Sequence, residues 1–444
     1  MNPVNDFLDY AALKNPNEPE FLQAVRELAE TVIPFIEKNP KYKKAKILER
    51  LIEPDRTIIF RVPWVDDNGS LQINRGYRVQ MTNALGPYKG GLRFHPNVNL
   101  SVLKFLAFEQ IFKNALTTLP LGAGKGGADF NPKGKSDNEI MRFCQSFMNE
   151  LYRHIGPNTD VPAGDIGVSG KEIGYMFGQY KKLTNQFTGT ITGKGLGSGG
   201  SLIRPEATGY GCVYFVEKML SRKNESIKGK KVIISGSGNV AQFAAEKIID
   251  LGGVVLTMSD SSGFIFDKNG IDAKKLDFIK DLKNIKKGRI QEYAKKYNVQ
   301  YKEGERPWSI IADIALPCAT QNEIQKECAK KIVKNKVIAV CEGANMPSSS
   351  EAINIFKKNN VLFGPGKAAN AGGVAVSALE MSQNSVRISW SREKVDKKLK
   401  EIMMNIHEQC VVYANESGTI DYVKGANIAG FVRVANAILD QGHV

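Results

Sequence analysis

The chain has 444 residues, of which 42% are hydrophobic and 24% charged, and its formal net charge is +15. This length is comfortable for two domains, and the composition is ordinary for a globular protein. No apolar run approaches the ~20 residues that span a bilayer, and the N-terminus lacks a basic stretch followed by an apolar block. We therefore expect no membrane segment, no secretory signal and a cytoplasmic location.

The cysteines, the histidines and the net charge bear on whether the chain binds a metal ion or nucleic acid. The six cysteines and four histidines are scattered without metal-type spacing, which predicts reduced thiols and no metal site. The net positive charge raises nucleic-acid binding as an alternative. However, the basic residues are spread along the chain, and no nucleic-acid-binding motif is present. We favour a solvated surface that gathers anionic small molecules, and we expect no nucleic-acid partner.

The first part of the chain mixes helices and strands. Residues 19–40 have the apolar spacing of an amphipathic helix, and residues 56–82 alternate as two strands around a turn. A long helix is predicted over residues 101–119, with Ser101 as its N-cap, and another over residues 138–155.

A glycine-rich segment at residues 193–201 marks a predicted domain boundary. Beyond it, apolar strands alternate with helices, which indicates a parallel sheet covered by helices. We predict an α/β fold with two domains separated by a cleft. Residues 1–200, completed by 425–444, are expected to form an α/β domain for substrate binding and oligomerisation. Residues 201–424 are expected to form a Rossmann-type dinucleotide-binding domain.

The sequence "GSGNVA" at residues 236–241 directly follows an apolar strand and directly precedes a helical pattern. In that setting it is a strong dinucleotide fingerprint. Gly236 permits a tight turn, Gly238 lets the backbone approach a pyrophosphate, and the N-terminus of the helix faces the phosphate charge. Asp260 ends the next strand, where a ribose-binding carboxylate is expected.

Three lysines in the first half of the chain stand in unusual settings. Lys89 and Lys125 are flanked by glycines, and Lys113 shares a helix face with Gln110. Asp165 is an isolated carboxylate between a glycine and an apolar residue. Any one of these lysines alone is typically a solvated charge. Together with an isolated carboxylate and a nucleotide fold, they are hard to explain as surface charges.

Several longer motifs combine these residues: "GPYKGGLRFHP", "LPLGAGKGGADF", "TDVPAGDIGV", "SLIRPEATGYG", "CEGANMPS" and "GPGKAANAGGVAVSALEMSQN". Through them the chain, from about residue 35 to its C-terminus, closely resembles the hexameric glutamate dehydrogenases of the Glu/Leu/Phe/Val dehydrogenase family. The resemblance implies a homohexamer that reversibly converts L-glutamate to 2-oxoglutarate and ammonium, with hydride transfer to a nicotinamide cofactor. A dehydrogenase for an apolar amino acid is the alternative, but Lys89 and Ser377 favour glutamate.

The resemblance also implies a role for each site residue. Lys125 and Asp165 are the expected catalytic pair, with Asp165 as the acid and base. The implied substrate ligands are Lys89 and Ser377 for the side-chain carboxylate, and Gln110, Lys113 and Gly164 for the α-carboxylate. The implied cofactor-binding residues are Arg204, Thr208, Gly236, Gly238, Asn239, Val240, Asp260, Ser261, Lys283, Arg289, Asn345 and Asn370.

The choice between NAD and NADP depends on a few residues at and after the end of the strand that closes with Asp260. Asp260 ordinarily favours NAD, because a carboxylate repels a 2′-phosphate. In NADP-using relatives that this chain resembles, residues matching Ser261, Lys283 and Arg289 contact that phosphate. A solvated basic helix is the other interpretation of this segment. We predict NADP, with NAD as the alternative.

Overall fold

The computed structural model describes residues 2–416 and 419–442. The chain divides into two compact units. Unit 1 comprises Met1–Arg204, Val376–Val395 and Asn427–Val444, and unit 2 comprises Pro205–Ala375 and Asp396–Ala426.

This division differs in detail from the domains predicted from the sequence. The segment Val376–Val395 groups with unit 1, although the sequence analysis placed it in the second domain. Its helix carries Glu380, whose carboxylate forms an ion pair with Lys194 Nζ at 2.8 Å. The functional labels of the two predicted domains, and the cleft between them, stay predictions.

Unit 1 is built around a mixed five-stranded sheet. Its order is β1-β2-β4-β3-β5; β2 is antiparallel to both of its neighbours, and β3 is parallel to β4 and β5. Its elements are α1 (Pro3–Lys14), α2 (Pro19–Glu37), α3 (Pro40–Lys44), α4 (Ile47–Leu51), β1 (Arg56–Val65), β2 (Leu71–Thr82), β3 (Tyr88–Phe94), α5 (Leu100–Leu116), β4 (Ala123–Ala128), α6 (Asp137–Leu151), β5 (Asp160–Gly164) and α7 (Gly170–Thr184).

Unit 2 contains a seven-stranded sheet with the order β12-β11-β10-β6-β7-β8-β9. Its elements are α8 (Ala207–Ser221), β6 (Lys231–Ile234), α9 (Asn239–Asp250), β7 (Val254–Asp260), β8 (Gly263–Ile271), α10 (Ala273–Lys280), α11 (Gln291–Tyr297), β9 (Gln300–Glu303), β10 (Ile314–Leu316), α12 (Lys326–Lys334), β11 (Ala339–Cys341), α13 (Ser350–Lys358), β12 (Leu362–Gly364) and α14 (Gly366–Ala369). Three long helices, α15 (Gly372–Val386), α16 (Arg392–Ala414) and α17 (Tyr422–Gln441), contain residues of both units, and β13 (Asn415–Glu416) pairs with β14 (Thr419–Ile420).

Two expectations from the sequence are wrong in detail. β8 runs antiparallel to β7 and to β9, whereas the sequence predicted a parallel sheet. The reason for the direction relative to β7 is that only two residues connect these two strands. A connection that short can join only antiparallel strands. Helix α5 is capped by Asn99 instead of Ser101, with the Asn99 side chain accepting from Val102 N at 3.0 Å. The Ser101 hydroxyl donates to Glu20 on α2.

A buried ion pair connects the strands of the unit 1 sheet. Arg78 Nε on β2 donates to Asp160 Oδ2 on β5 at 2.8 Å, and a second guanidinium nitrogen contacts Oδ1. Arg78 Nη1 also donates to the carbonyl oxygen of Gly90 on β3 at 3.1 Å. Both charged side chains are fully buried. The pair therefore links three of the five strands in a setting where water cannot replace a lost partner.

Close neighbours on β2 and β3 account for the glycines beside Lys125 on β4. A Cβ on Gly124 would lie 3.0 Å from the Val79 carbonyl oxygen, and one on Gly126 would lie 2.7 Å from the Tyr77 carbonyl oxygen and 3.0 Å from Arg78 Cδ. Because residues alternate across a strand, these glycines face away from the side of β4 that carries Lys125. The glycines beside Lys125 thus leave room for the backbone of β2 and, at Gly126, for the Arg78 side chain as well.

Replacement of Asp160 with Asn should destabilise unit 1 strongly. The Arg78 guanidinium would keep its burial but lose its counter-charge, which costs about 3–5 kcal/mol. The midpoint of urea unfolding, followed by circular dichroism, measures this change. Asp67→Asn is the matched control, because Asp67 pairs with Arg142 at 2.6 Å on the exposed surface and its loss should cost under about 1 kcal/mol. Equal shifts for the two variants would contradict the importance of the buried pair.

Candidate active site

Lys125 and Asp165 form the centre of the site in unit 1. Lys125 lies on β4, and its Nζ is 3.0 Å from Asp165 Oδ2. The same carboxylate oxygen accepts a hydrogen bond from Arg93 Nε at 2.9 Å. A Cβ on Gly91 would lie 2.9 Å from the Asp165 Cβ, so the glycine on β3 makes room for the carboxylate.

The charges of this cluster set its protonation. Burial alone would raise the pKa of Asp165, but the Lys125 ammonium and the Arg93 guanidinium outweigh burial and lower that pKa to about 2. Burial lowers the pKa of Lys125, and the nearby Asp165 carboxylate opposes that shift. At neutral pH the carboxylate is therefore ionised, and its lysine partner holds its proton less firmly than an exposed lysine does.

Sequence reasoning did not assign a role to Arg93. Its position could have indicated a role. Arg93 lies four residues after Lys89 on β3, and alternation along a strand places the two side chains on the same face. Conversely, Gly164 ends β5 directly before Asp165, as the motif indicated.

Helix α5 brings Lys113 and Gln110 to the same region. Burial, and next the Lys125 ammonium, lower the pKa of Lys113 to about 8. Gln110 Nε2 donates to Asn114 Oδ1 at 2.6 Å. The Asn114 amide in turn donates to the carbonyl oxygen of Lys89 at 3.1 Å, which joins α5 to β3.

Lys89 occupies a closed polar setting. Its side chain is buried, and Nζ donates to Thr192 Oγ1 at 2.8 Å. The hydroxyls of Thr192 and Ser377 are hydrogen-bonded to each other. Burial, and then the charges of Arg204 and Arg78, hold the pKa of Lys89 well below its usual value. The predicted pair Lys89 and Ser377 is thus connected through Thr192, which the sequence analysis did not single out.

The charge of Arg204 acts on the predicted substrate ligands. Its charge contributes to the lowered pKa values of both Lys89 and Lys113, and burial lowers its own pKa. The sequence analysis assigned it to the cofactor. Because its charge acts on Lys89 and Lys113, it also belongs to the group of cations in unit 1.

The dinucleotide fingerprint has the predicted geometry. β6 ends at Ile234, and α9 begins at Asn239. Gly236 adopts a φ of +85°, a left-handed conformation that favours glycine. Gly238 is exposed, and a Cβ there would meet no atom within 4 Å. The turn therefore offers open backbone at a helix N-terminus, as a pyrophosphate requires.

The remaining predicted cofactor residues lie around this turn and elsewhere in unit 2. Asn239 Nδ2 donates to the carbonyl oxygen of Pro205 at 2.5 Å, and Val240 is half-buried within α9. Asn370 Nδ2 donates to Asn345 Oδ1 at 2.8 Å, so these two predicted cofactor residues are in contact. Thr208 is half-buried in the first turn of α8.

Asp260 is engaged by its own unit. Its Oδ2 accepts from Ile290 N at 2.9 Å, and its Oδ1 accepts from Ser262 N at 2.9 Å. Lys283 Nζ lies 3.4 Å from Oδ2. Burial alone would raise the pKa of Asp260, but these backbone donors and Lys283 lower it. The carboxylate therefore already has three partners at the end of β7.

Ser261 and Arg289 form an exposed cationic pair beside it. Arg289 Nη1 donates to Ser261 Oγ at 2.8 Å. Lys283 Nζ donates to the carbonyl oxygen of Gly288 at 2.8 Å, which holds the basic segment near Asp260. A serine hydroxyl and a guanidinium at this position suit a ribose that carries a 2′-phosphate better than a ribose with a free 2′-hydroxyl.

Neither a metal cluster nor a membrane helix emerges from the described part of the chain. Within residues 2–416 and 419–442, no group of three or more His, Cys, Asp or Glu side chains could hold a metal ion. Over the same residues, no helix is long and apolar enough to cross a bilayer.

Comparison with known proteins identifies the class to which this fold and site belong. The family model for "Glu/Leu/Phe/Val dehydrogenase, dimerisation domain" matches residues 54–182, and the model for "Glutamate/Leucine/Phenylalanine/Valine dehydrogenase" matches residues 199–442. The chain belongs to the Glu/Leu/Phe/Val dehydrogenase family, as its motifs predicted.

Individual relatives are similar over almost the whole chain. The NAD(P)-specific glutamate dehydrogenase of Xylanibacter ruminicola is 63% identical, covering 99% of each chain. The NADP-specific glutamate dehydrogenase of Haemophilus influenzae is 58% identical, covering 99% of this chain and 98% of its own. The crystal structure of Plasmodium falciparum glutamate dehydrogenase superposes with a TM-score of 0.97 at 54% identity, covering 99% of this chain and 95% of that one.

The lowered pKa of Lys113 predicts pH-dependent anion binding. Below about pH 8 the Lys113 ammonium attracts an anion, and above it the side chain becomes neutral, so affinity for 2-oxoglutarate should fall as the pH rises. Titration calorimetry from pH 6.5 to 9.5 measures this fall. In Lys113→Met, affinity should be lower throughout, and the step near pH 8 should vanish. An unchanged step in that variant would assign the titration to another group.

Proposed function

We propose that this chain is a glutamate dehydrogenase that interconverts L-glutamate, water and NADP+ with 2-oxoglutarate, ammonium and NADPH. The observation that carries the proposal is Lys89, a buried lysine whose Nζ donates to the Thr192 hydroxyl in the same unit as Lys113, Lys125 and Asp165. A substrate with one carboxylate needs one cationic site. The second buried cation suits a substrate with two carboxylates.

The alternative, a dehydrogenase for an apolar amino acid, is less compatible with this site. An apolar side chain against Lys89 would leave a buried ammonium without an anionic partner, which is costly. Thr192 and Ser377 add further polar groups at the same place. A side-chain carboxylate would satisfy them.

The chain's own groups can move the protons that oxidative deamination requires. The α-amine must lose a proton before the Cα hydrogen leaves, and water must then attack the imine carbon. Asp165 with a pKa of about 2 is a weak base by itself. Its contact with Lys125 at 3.0 Å allows the pair to share a proton, because the pKa of Lys125 is lowered.

The fingerprint turn is suited to a dinucleotide. Gly236, the open backbone at Gly238 and the N-terminus of α9 would hold its pyrophosphate. When bound, the nicotinamide would supply the two-electron acceptor for the substrate hydrogen. By the resemblance, Arg204 and Thr208 are proposed to approach the nicotinamide end of the cofactor, and Asn239 and Asn345 to lie along its phosphate–ribose path.

We propose NADP as the preferred cofactor. Asp260 is occupied by the backbone nitrogens of Ile290 and Ser262, which reduces its repulsion of a 2′-phosphate. The exposed Ser261–Arg289 pair offers that phosphate a hydroxyl and a fixed cation. NAD stays the alternative, because a relative of high identity is named NAD(P)-specific. A homohexameric state and a cytoplasmic location complete the proposal, and both derive from the resemblance.

An absorbance assay at 340 nm tests the proposed function directly. Purified protein is supplied with 2-oxoglutarate and ammonium, and oxidation of NADPH and NADH is followed in parallel. NADPH should be oxidised faster. The same assay with 4-methyl-2-oxopentanoate, the oxo acid of leucine, tests the alternative substrate class. Preference for that oxo acid would overturn the proposal.

Lys89→Leu should remove selectivity for the side-chain carboxylate. Losing one desolvated charge partner costs about 2–5 kcal/mol in the interaction with glutamate. The kcat/KM for glutamate should therefore fall by orders of magnitude, while that for L-norvaline, which has no side-chain carboxylate, should rise relative to it. Lys133→Leu, a change at an exposed lysine after β4, is the control and should leave both values unchanged. Unaltered glutamate efficiency in Lys89→Leu would show that another residue binds the carboxylate.

The double variant Lys283→Ala/Arg289→Ala should separate the two cofactors. Loss of charged hydrogen bonds should weaken NADPH binding by about 10–100-fold and NADH binding little. The NADPH effect should shrink at high salt because exposed charges are screened. Lys286→Ala/Lys287→Ala, which removes the same charge from the same segment, is the control. Cofactor fluorescence titration gives the dissociation constants. Equal losses for both cofactors, or a wild-type preference for NADH, would indicate that Asp260 binds a free 2′-hydroxyl.

A further inference from the structure

A second buried ion pair in unit 1 lies outside the residues assigned so far. Lys194 Nζ is 2.8 Å from Glu380 Oε1, with side chains 1% and 0% exposed. Lys194 Nζ also donates to Asn384 Oδ1 at 2.8 Å and to the carbonyl oxygen of Ile191. Glu380 Oε2 accepts from Gly193 N at 2.9 Å. The pair therefore binds the backbone of residues 191–194 to the helical segment that begins at Val376.

The two segments that this pair connects also carry the hydroxyls around Lys89. Thr192 lies between Ile191 and Gly193, and Ser377 lies three residues before Glu380, on adjacent turns of α15. The Thr192 and Ser377 hydroxyls are bonded to each other, and Thr192 Oγ1 accepts from Lys89 Nζ. A shift of either segment would separate these hydroxyls and change where the Lys89 ammonium points.

Stability alone is a weak reason for such a pair. Removing two charges from water costs several kcal/mol per ion, so an apolar pair of similar volume often stabilises a fold as well or better. The Lys194–Glu380 pair is also fully supplied with hydrogen bonds, which fixes its geometry. Fixed geometry matters most where neighbouring groups must meet a ligand.

We infer that Glu380 and Lys194 are positioning residues that set the Thr192–Ser377–Lys89 pocket, and thereby the selectivity for a substrate with a side-chain carboxylate. The inference rests on the proposed function. Neither residue needs to touch the substrate. Their effect should appear in the binding of the side-chain carboxylate and leave the chemistry at Cα nearly unchanged.

Steady-state kinetics of Glu380→Gln with L-glutamate and L-norvaline test this inference. Gln keeps the size and an acceptor but loses the charge that orients Lys194. The KM for glutamate should rise on the order of tenfold, as for other residues that orient ligand-binding groups. The kcat for glutamate and the kcat/KM for norvaline should stay within about threefold of wild type, since neither depends on the side-chain pocket.

Two further variants keep the test decisive. Lys194→Met/Glu380→Met removes both charges, leaves no buried ion unpaired, and should show the same rise in KM. Glu18→Gln is the matched control, because Glu18 pairs with Lys104 at 2.6 Å in the same unit, with side chains 16% and 8% exposed. It should leave the selectivity unchanged.

The outcomes separate the two proposals. An unchanged KM for glutamate, or an equal loss of activity on both substrates, overturns the positioning role. Failure of both Glu380→Gln and the double variant to fold also overturns it, because the pair is then structural. Wild-type protein that does not turn over glutamate at all overturns the proposed function itself.

Discussion

The ion pair between Arg78 and Asp160 is the constraint on which the unit 1 site depends. It crosses the sheet from β2 to β5, and the two strands that hold the lysines, β3 and β4, lie between its ends. Because carbonyl oxygens of β2 and the Arg78 side chain lie close to Gly124 and Gly126, a larger residue at either position of β4 would be crowded. The opposite face of the same strand presents Lys125. The structural pair and the chemical residue are thus coupled through the alternation of a single strand.

The cationic groups of the candidate site are costly in the folded protein without an anion. Burial first, and then nearby lysine and arginine charges, lower the pKa values of Lys89, Lys113 and Lys125, so each ammonium is less favourable than in water. An anion with two carboxylates would restore the charge balance. Under the proposed function, the unfavourable state of the free site is a source of binding energy and of selectivity for dicarboxylates.

The sequence indicated the candidate site residues more readily than the groups that hold them in place. The lysines, Asp165 and the fingerprint glycines could be identified because each lies in a local pattern of glycine, helix face or strand end. The pairing of Arg78 with Asp160 could not, because 82 positions separate the two residues and the motif that contains Asp160 does not indicate its partner. Thr192 and Glu380 were missed for the same reason, since only tertiary contacts connect them to Lys89. The antiparallel direction of β8 could not be predicted without knowing that only two residues connect it to β7.

Asp260 shows why residue type alone does not decide a specificity. A carboxylate at the end of β7 suits a ribose hydroxyl when it is free to accept one. Here the backbone nitrogens of Ile290 and Ser262 occupy its oxygens, and Lys283 offsets its charge. The group left exposed at that position is the Ser261 hydroxyl, with the Arg289 guanidinium bonded to it. The same aspartate that favours NAD from sequence therefore acts in the structure as the anchor that holds a basic segment against the strand end, and the selectivity moves to the residues it holds.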